Sequence, residues 1–248
     1  MSENMNRQGL TTRIGMISPD DGVNDDEYYN YLPPGVTLLW NRYRTPRRND
    51  PISVEMVGSY GDLRVVEEAA KTLRITRPEV VVFCCNSCGF VHGQAGDQRI
   101  CQAVAKAAQS QAVSITASQL KAIEALGVSR LAVAAPYPVE VTALLVALLQ
   151  QAGYAVVQER SLGLETEWQI GNSDPRVWQD LAISVDHPGA ECVLLACGGI
   201  RTAPILDALE RDLGKPVVSA PAATMWHALR TAGVSEPVHG YGVLLERH

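Results

Sequence analysis

The sequence is poor in aromatic side chains, in basic charge and in long apolar runs. Aromatic residues make up 6% of its 248 residues and only two are phenylalanine, so we expect an aliphatic core. The net charge of −6 argues against a broad nucleic-acid surface, which requires a basic face. No apolar run approaches the roughly 20 residues that span a bilayer, so no membrane segment is expected.

Common cofactor and catalytic motifs are also missing. There is no G-x-G-x-x-G, P-loop, H-E-x-x-H or G-x-S-x-G sequence, so nucleotide-binding, zinc-protease and serine-hydrolase functions lack support. The polar start of the chain lacks the apolar region of a signal peptide, so we expect a cytoplasmic protein. In that reducing compartment disulfides are rare, which leaves six cysteines to explain: Cys84, Cys85, Cys88, Cys101, Cys192 and Cys197.

Short, nearly continuous apolar runs alternate with amphipathic segments, a pattern typical of a parallel sheet that is buried on both faces. Eight strands are predicted at Arg13–Ser18, Val36–Arg42, Val80–Cys84, Ala112–Ile115, Arg130–Ala135, Tyr154–Gln158, Cys192–Ala196 and Pro216–Ser219. Seven helices are predicted at Gly61–Ile75, Gly96–Gln109, Ser118–Leu126, Val139–Ala152, Pro175–Val185, Ala203–Leu213 and Ala222–Ala232. We interpret residues 20–51 as a functional loop around one strand.

A weak internal repeat relates the two halves of the chain. Cys85 and Cys197 each follow a glutamate by six residues, at the end of an apolar strand. We therefore predict an α/β fold of two pseudo-symmetric subdomains, each a short parallel sheet of about four strands flanked by helices. The first subdomain is assigned residues 13–116 plus 220–248, and the second residues 117–219. The active site is expected in the cleft between them.

Ligands of parallel α/β sheets bind at the carboxyl ends of the strands, where Cys85 and Cys197 lie. A helix N-terminus facing either thiol would lower its pKa. Two thiols across a cleft suit proton removal from one face of a carbon and delivery to the other, or addition by one thiolate with protonation by the second. The residues that directly follow each cysteine could donate hydrogen bonds to the substrate's oxygens, which would require no cofactor or metal. They are Asn86 and Ser87 after Cys85, and Gly198 and Gly199 after Cys197.

These motifs resemble the aspartate/glutamate racemase superfamily, and within it the branch of maleate cis-trans isomerases and arylmalonate decarboxylases. The resemblance spans nearly the whole chain. It rests on Cys85-Asn86-Ser87, Ala196-Cys197-Gly198-Gly199, Pro216–Ser219 with Ala222–Trp226, Ile14–Pro19, Ala135–Tyr137 and Gly240–Gly242.

The resemblance implies a cofactor-independent isomerase of a small carboxylic acid, acting as a maleate isomerase or a racemase. Cys85 would be the nucleophile or first base and Cys197 the proton donor. Substrate oxygens would be bound by Asn86, Ser87, Tyr137, Gly198 and Thr224. The superfamily also suggests a homo-oligomer, either a dimer or a tetramer. Arylmalonate-type decarboxylation, with Cys197 as the proton donor, remains the alternative because Pro19 and Cys197-Gly-Gly match the decarboxylases.

The segment after the first strand departs from the maleate isomerases. An ionised Asp20 would repel a dicarboxylate, which favours a substrate that is less charged or carries an ammonium group. Arg42 and Arg44, which cluster with Arg47 and Arg48, could instead clamp a carboxylate. The acidic run from Asp20 to Glu27 is interpreted as a solvated loop and helix start.

A third possibility treats the chain as a carboxylate-binding or thiol redox-sensing protein without catalysis. It uses Cys85-x-x-Cys88, near His92, as a redox pair. A structural zinc site at the same place would need four ligands, and no second C-x-x-C exists. Because side chains alternate along a strand, only one of the vicinal Cys84 and Cys85 is expected to enter the cleft. Cys84, Cys101 and Cys192 are interpreted as packing residues.

Overall fold

The computed structural model describes residues 11–46 and 50–248. Two parallel four-stranded sheets form its frame. In the first, β1 (Thr12–Pro19), β2 (Val36–Tyr43), β3 (Val80–Phe83) and β4 (Gln111–Ser114) lie in the order β2-β1-β3-β4. In the second, β5 (Arg130–Ala135), β6 (Ala155–Ser161), β7 (Cys192–Leu195) and β8 (Val217–Ser219) lie in the order β6-β5-β7-β8. The identical order confirms the predicted pair of α/β units.

Twelve α-helices flank the strands in the described part of the chain. They are α1 (Asp25–Tyr29), α2 (Val54–Ser59), α3 (Leu63–Leu73), α4 (Asn86–Val91), α5 (Gly93–Ala108), α6 (Ile115–Leu126), α7 (Val139–Gln151), α8 (Glu167–Gly171), α9 (Pro175–Val185), α10 (Leu206–Leu213), α11 (Ala220–Thr231) and α12 (Val243–Arg247). All seven predicted helices are present. The five others have five or six residues, too few to show a helical period in the sequence.

Local chemistry sets the helix boundaries. The Asp174 side chain accepts a hydrogen bond from Arg176 N at 2.8 Å, which starts α9 at Pro175 as predicted. Ser114 caps α6 through Ala117 N at 2.9 Å, so this helix begins three residues before the predicted Ser118. Gly127 ends α6 with a φ of 66°, a left-handed conformation that glycine adopts without strain.

The central strands are buried on both faces, as the continuous apolar runs predict. Every residue of β3 and β7 is buried, and the surrounding core is largely aliphatic. Helix α11 packs against α6, against β3 and β4 of the first sheet, and against β8 of the second. The assignment of residues 220–248 to the first subdomain remains a prediction.

The topology brings four strand ends together. β1 and β3 are the central pair of the first sheet, and β5 and β7 hold the same positions in the second. Their carboxyl ends are continued by the residues that form the pocket described next. None of the helices within residues 11–46 and 50–248 is long and apolar enough to cross a membrane.

Candidate active site

One pocket receives side chains from both sheets and contains both predicted cysteines. The space between its lining residues, counted together with the part that is open to solvent, is about 470 Å³. It is lined by Ser18, Pro19, Asp21, Gly22, Asn24, Tyr28, Trp40, Tyr60, Cys84, Cys85, Asn86, Ser87, Tyr137, Glu167, Cys197, Gly198 and Gly199. The structure therefore brings together Cys85, Cys197 and six of the other residues predicted to contact substrate: Pro19, Asn86, Ser87, Tyr137, Gly198 and Gly199.

Cys85 occupies the turn between β3 and α4. It is 6% exposed, and its Sγ lies 3.9 Å from Ser87 Oγ. Burial raises the pKa of the Cys85 thiol well above its usual range, and a hydrogen bond with Cys88 adds to this effect. Cys85 therefore carries its proton in the empty pocket and needs a neighbouring acceptor to become a thiolate.

Cys88 and His92 lie beside Cys85 but do not line the pocket. A hydrogen bond from Cys85 and a second contact with His92 lower the pKa of Cys88 to about 7. The same contact with Cys88 raises the pKa of His92 to about 9, and His92 Nε2 lies 2.8 Å from Gly58 O. Cys88 is thus the member of this pair that ionises first, and Cys85 becomes a thiolate only when the proton shared between the two sulfurs moves onto Cys88.

Cys197 follows β7 and has a backbone conformation that is rare outside glycine, with a φ of 107°. The Gly199 N–H donates to Cys197 Sγ at 3.2 Å, and the Tyr137 side chain hydrogen-bonds to the same thiol. Both contacts favour the thiolate, but burial outweighs them and raises the pKa of Cys197 to about 12. Cys197 therefore carries a proton that it can donate, and the Gly199 N–H and the Tyr137 side chain are in place to stabilise the thiolate that remains.

The peptide between Gly198 and Gly199 is held in the orientation that this contact needs. Its carbonyl, Gly198 O, accepts hydrogen bonds from Asn24 Nδ2 at 2.7 Å and from Tyr28 Oη at 3.0 Å. Because the C=O and N–H of a trans peptide point in opposite directions, anchoring the carbonyl directs the Gly199 N–H at Cys197. Residues of the first sheet's β1–β2 connection thus position a donor for the thiol of the second sheet.

The expectation that helix dipoles lower the pKa values of Cys85 and Cys197 is wrong. Both thiols are almost fully enclosed, and burial is the largest influence on each. The helix that follows Cys85, α4, has only six residues, and the pKa of Cys85 is raised despite its position. No helix begins directly after Cys197, since α10 starts at Leu206.

Relief of the strained backbone at Cys197 gives a stability prediction. Replacing Cys197 by glycine is expected to yield a protein about 1 kcal/mol more stable than the alanine variant, because alanine retains the cost of a positive φ. Urea unfolding of the two variants measures this difference directly. Equal stability, or a more stable alanine variant, would show that the positive φ carries no strain.

Asn86 lines the pocket and has an unused side-chain donor. The residue is 3% exposed, and its Oδ1 accepts from Thr116 Oγ1 at 3.1 Å. Its buried Nδ2 has no hydrogen-bond partner in the described structure. A buried amide nitrogen without a partner is costly, so a ligand oxygen is the fitting acceptor.

The pocket also contains two carboxyl groups that were not predicted to line it, those of Asp21 and Glu167. Asp21 Oδ2 accepts a hydrogen bond from Tyr60 Oη, and burial raises the Asp21 pKa. Burial, reinforced by the charge of Asp21, raises the pKa of Glu167 to about 8. Glu167 is the first residue of α8, which Thr166 caps by accepting from Gln169 N at 3.1 Å.

The remaining predicted contact residues lie outside the pocket lining. Asp20 accepts from Thr45 N at 3.1 Å and from Thr45 Oγ1 at 3.0 Å. Arg42 pairs with Asp25 at 2.5 Å, and Arg44 is exposed. Their predicted partners in the basic cluster, Arg47 and Arg48, lie outside the described residues.

The surroundings of three further residues differ from what the sequence led us to expect. Thr224 is fully buried and donates to Ala220 O at 2.7 Å, within α11. Cys84 lines the pocket together with Cys85, so the alternation rule fails where the strand ends. Glu27 is buried rather than solvated, with Oε1 accepting from Thr202 N at 2.8 Å. The predicted helix start in this acidic run is confirmed by α1.

The raised pKa of Glu167 predicts a pH-dependent stability difference. A carboxyl whose pKa is higher in the folded state stabilises the fold fully below its ordinary value of 4.5, and this contribution is lost as pH rises through about 8. Glu167→Gln should therefore gain about 2 kcal/mol relative to the parent protein between pH 5 and pH 9, after allowing for partial exposure. Urea unfolding at the two pH values measures it.

The exposed Glu165 supplies the matched control for this measurement, since Glu165→Gln removes the same charge two residues away, outside the pocket lining. Its stability difference from the parent should be the same at both pH values. If Glu167→Gln shows the same flat response, Glu167 is not desolvated.

A pocket between two parallel α/β units, with Cys85 on one side and Cys197 on the other, is the arrangement expected of the branch of maleate isomerases and arylmalonate decarboxylases that the sequence resembles. Comparison with known proteins agrees. The family model described as arylmalonate decarboxylase matches residues 54–245, and the chain belongs to this enzyme family.

The similar proteins include an arylmalonate decarboxylase and maleate isomerases. The chain is 30% identical over 247 residues to the arylmalonate decarboxylase of Bordetella bronchiseptica, covering 97% of this chain and 99% of that protein. It is 24% identical over 244 residues to a maleate isomerase of Nocardia farcinica, covering 95% and 96%. A glycine-to-cysteine, cysteine-to-serine double mutant of arylmalonate decarboxylase, crystallised with ligand, aligns with a TM-score of 0.86 at 28% identity, covering 96% of this chain and all of that one.

Proposed function

We propose that the protein is a cofactor-independent isomerase of a small carboxylic acid, of the maleate-isomerase or racemase type. The observation that carries this proposal is the presence of Cys85 and Cys197 in one pocket, each supplied by a different sheet. A reaction that takes up a proton or a nucleophile on one side and delivers a proton on the other needs two such groups. A dimer or tetramer and a cytoplasmic location remain predictions.

The first half of the reaction uses Cys85. Cys85 and Cys88 share one proton through their hydrogen bond, and when that proton resides on Cys88 the Cys85 thiolate either removes the proton beside the substrate carboxylate or adds to a carbon–carbon double bond. In both cases the electron pair moves onto the carboxylate oxygens. Asn86 Nδ2 and Ser87 Oγ are the donors available to those oxygens.

The second half uses Cys197. Its thiol delivers a proton to the carbon, and the electron pair returns from the carboxylate oxygens to form the new C–H bond. The Cys197 thiolate that remains is stabilised by the Gly199 N–H and the Tyr137 hydroxyl. In the addition route the adduct rotates about its single bond, and reversal of the steps releases the isomer and restores both thiols.

A structure of one relative supports the addition route. A cysteine-to-serine mutant of the Nocardia farcinica maleate cis-trans isomerase holds a covalently bound succinylcysteine intermediate, and that chain aligns with a TM-score of 0.85 at 23% identity. This chain has a thiol from each sheet in its pocket, as the two-step chemistry requires.

Decarboxylation of a 2-substituted malonate is the second candidate. It is favoured by the 30% identity to an arylmalonate decarboxylase over nearly the full chain, and by the pocket residues Pro19 and Cys197-Gly198-Gly199. In that reaction loss of CO₂ generates the charge on the oxygens, and Cys197 alone supplies the proton. Cys85 would then be dispensable.

Proton NMR in D₂O separates these reactions in one assay. The protein is incubated with maleate, amino acids, hydantoins and arylmalonates. Solvent deuterium at the carbon beside the carboxylate, or conversion between geometric isomers, with the carbon skeleton intact supports the isomerase. Loss of one carbon with a single deuterium in the product supports the decarboxylase and contradicts the isomerase.

A further inference from the structure

Helix α4 carries three proton-exchanging side chains at a spacing that brings them to one face. Cys85 precedes its first residue, Cys88 lies in its first turn, and His92 follows its last residue. Side chains three and four positions apart are neighbours on a helix surface. Cys85 lines the candidate active site, Cys88 is fully buried and His92 is exposed. The row therefore runs from the pocket to the protein surface.

Cys88 and His92 meet at Gly61, just after α2. A Cβ built on Gly61 would lie 3.0 Å from Cys88 Sγ and 3.0 Å from His92 Nε2, so the sulfur and the ring nitrogen border one small volume. His92 Nε2 also donates a hydrogen bond to Gly58 O at 2.8 Å. This bond holds the imidazole with its Nε2 side toward Cys88.

The contact between Cys88 and His92 favours the charged form of both groups. Hydrogen bonds with Cys85 and His92 lower the pKa of Cys88 to about 7, and the bond with Cys88 raises the pKa of His92 to about 9. Between these two values Cys88 is a thiolate and His92 is an imidazolium. Because Cys88 is shielded from water, this pairing is screened less than an ion pair at the surface.

Two charged residues of α5 oppose this contact without reversing it. Asp97 raises the pKa of Cys88, and Arg99 lowers the pKa of His92. Asp97 is 4% exposed and its Oδ2 accepts from Ser114 Oγ at 2.5 Å, whereas Arg99 is exposed. Since both pKa values remain displaced toward the charged forms, the hydrogen bonds that Cys88 makes are the stronger influence.

The ionisable groups on the other sides of α4 are neutral, more distant or exposed. Tyr43 and Tyr60, near Cys85, have pKa values raised by burial and keep their protons. Glu167, across the pocket, raises the pKa of Cys85. The other charged side chains on the helices packed against α4 are exposed: Glu55 on α2, Lys106 on α5, Lys121 and Glu124 on α6, and Glu140 on α7.

We propose that His92 is a positioning residue of the Cys85 half-reaction, which holds Cys88 as a thiolate and so gives Cys85 a proton acceptor. This inference deepens the proposed function and rests on it for the role of Cys85. The proton of Cys88 moves to the imidazole of His92, and the electron pair of the S–H bond stays on sulfur. The proton of Cys85 then moves to the Cys88 sulfur. Each proton lost by one group is gained by the next, so no further reagent is needed.

Removal of His92 leaves Cys85 beside a protonated neighbour at neutral pH. A buried thiol without a cationic partner has a pKa above the ordinary value of about 8.5, so Cys88 would keep its own proton. Ser87 Oγ, at 3.9 Å from the Cys85 sulfur, is no substitute, because a hydroxyl is a far weaker base than a thiolate. His92 therefore sets the lowest pH at which Cys85 reacts.

The rate at which iodoacetamide alkylates Cys85, measured against pH, tests this inference. The whole protein is reduced, freed of reductant and reacted at a series of pH values, and peptide mass spectrometry reports the fraction of Cys85 modified. Only a thiolate displaces iodide, so the midpoint of the profile reports the ionisation of the Cys85–Cys88 pair. We expect a midpoint near pH 7 in the parent chain, and about one pH unit or more higher in His92→Gln.

Two comparisons make the result specific. His239→Gln removes an exposed imidazole outside α4 and should leave the midpoint unchanged. In a Cys88→Ala background, His92→Gln should have almost no further effect, because His92 acts through Cys88. Circular dichroism confirms that each variant is folded. A rise of less than about half a pH unit in His92→Gln, a parent midpoint at or above about 8.5, or an equal rise without Cys88 would overturn the proposal.

The failure of this proposal can be distinguished from the failure of the proposed function, because alkylation requires no substrate and no turnover. A midpoint that depends on His92, in a protein whose turnover survives Cys85→Ser, would contradict only the two-thiol reaction. Loss of turnover in Cys85→Ser, with a midpoint that His92→Gln does not move, would contradict only the role of His92.

Discussion

Cys85→Ala is expected to lower kcat/KM by at least about 1,000-fold on the compound that shows turnover in the NMR panel. The thiol is the group that the first step uses, and no other residue of the lining can replace it from the same position. Ser87 Oγ lies 3.9 Å from the Cys85 sulfur, but an alcohol is a far weaker acid than a thiol. Steady-state kinetics of the purified variant provides the measurement.

Cys101→Ala is the matched control, since it removes a thiol on α5 that does not line the active-site pocket. It should retain the parent kcat/KM within about twofold, because only thiols in the pocket contact the substrate. If Cys85→Ala retains more than a tenth of the parent activity while Cys101→Ala behaves normally, Cys85 is not the base or nucleophile. The decarboxylase reaction, which needs only Cys197, would then be favoured.

Cys197→Ser is expected to cause a loss of similar size, again at least about 1,000-fold in kcat/KM. Serine preserves the size and the hydrogen bonds to Tyr137 and Gly199, but its hydroxyl is a poorer proton donor than a thiol. In the addition route, Cys197→Ser stops the reaction at the protonation step, after Cys85 has already added to the substrate. Intact-protein mass spectrometry should therefore detect an adduct on Cys85 equal to the mass of one substrate molecule.

The adduct separates the two kinds of isomerase. Its presence in Cys197→Ser, and its absence in a variant that also carries Cys85→Ser, supports addition to a double bond. A racemase loses turnover without any adduct, because its Cys85 removes a proton and forms no covalent bond. Full turnover by Cys197→Ser would contradict both, since neither reaction has another proton donor at that position.

The sheets and the two cysteines could be predicted from sequence because their signals are local. The runs that form β3 and β7 are continuously apolar, which indicates strands buried on both faces, and each ends at the same type of residue. The position of Cys85 and Cys197 at the carboxyl ends follows from the parallel topology. No tertiary information was needed to place them in one cleft.

The acidic end of the pocket could not be predicted, because its residues carry no periodic signal. Glu167 starts a helix of only five residues. Asp21 belongs to a run of acidic residues whose members have different surroundings. Asp20 accepts hydrogen bonds from Thr45, and Glu27 is buried away from the pocket. Only the folded chain decides which acid faces the pocket. The direction of the cysteine pKa shifts and the positive φ of Cys197 also depend on tertiary enclosure.

The measurement that tests the two-thiol site most directly compares kcat/KM for four proteins: the parent chain, Cys85→Ala, Cys197→Ala and the double variant. Groups that act as one unit are strongly non-additive. We expect each single variant to lose at least about 1,000-fold in kcat/KM, and the double variant to be no more than about tenfold worse than either. Near-parental turnover by Cys85→Ala, with the whole loss confined to Cys197→Ala and the double variant, would contradict it.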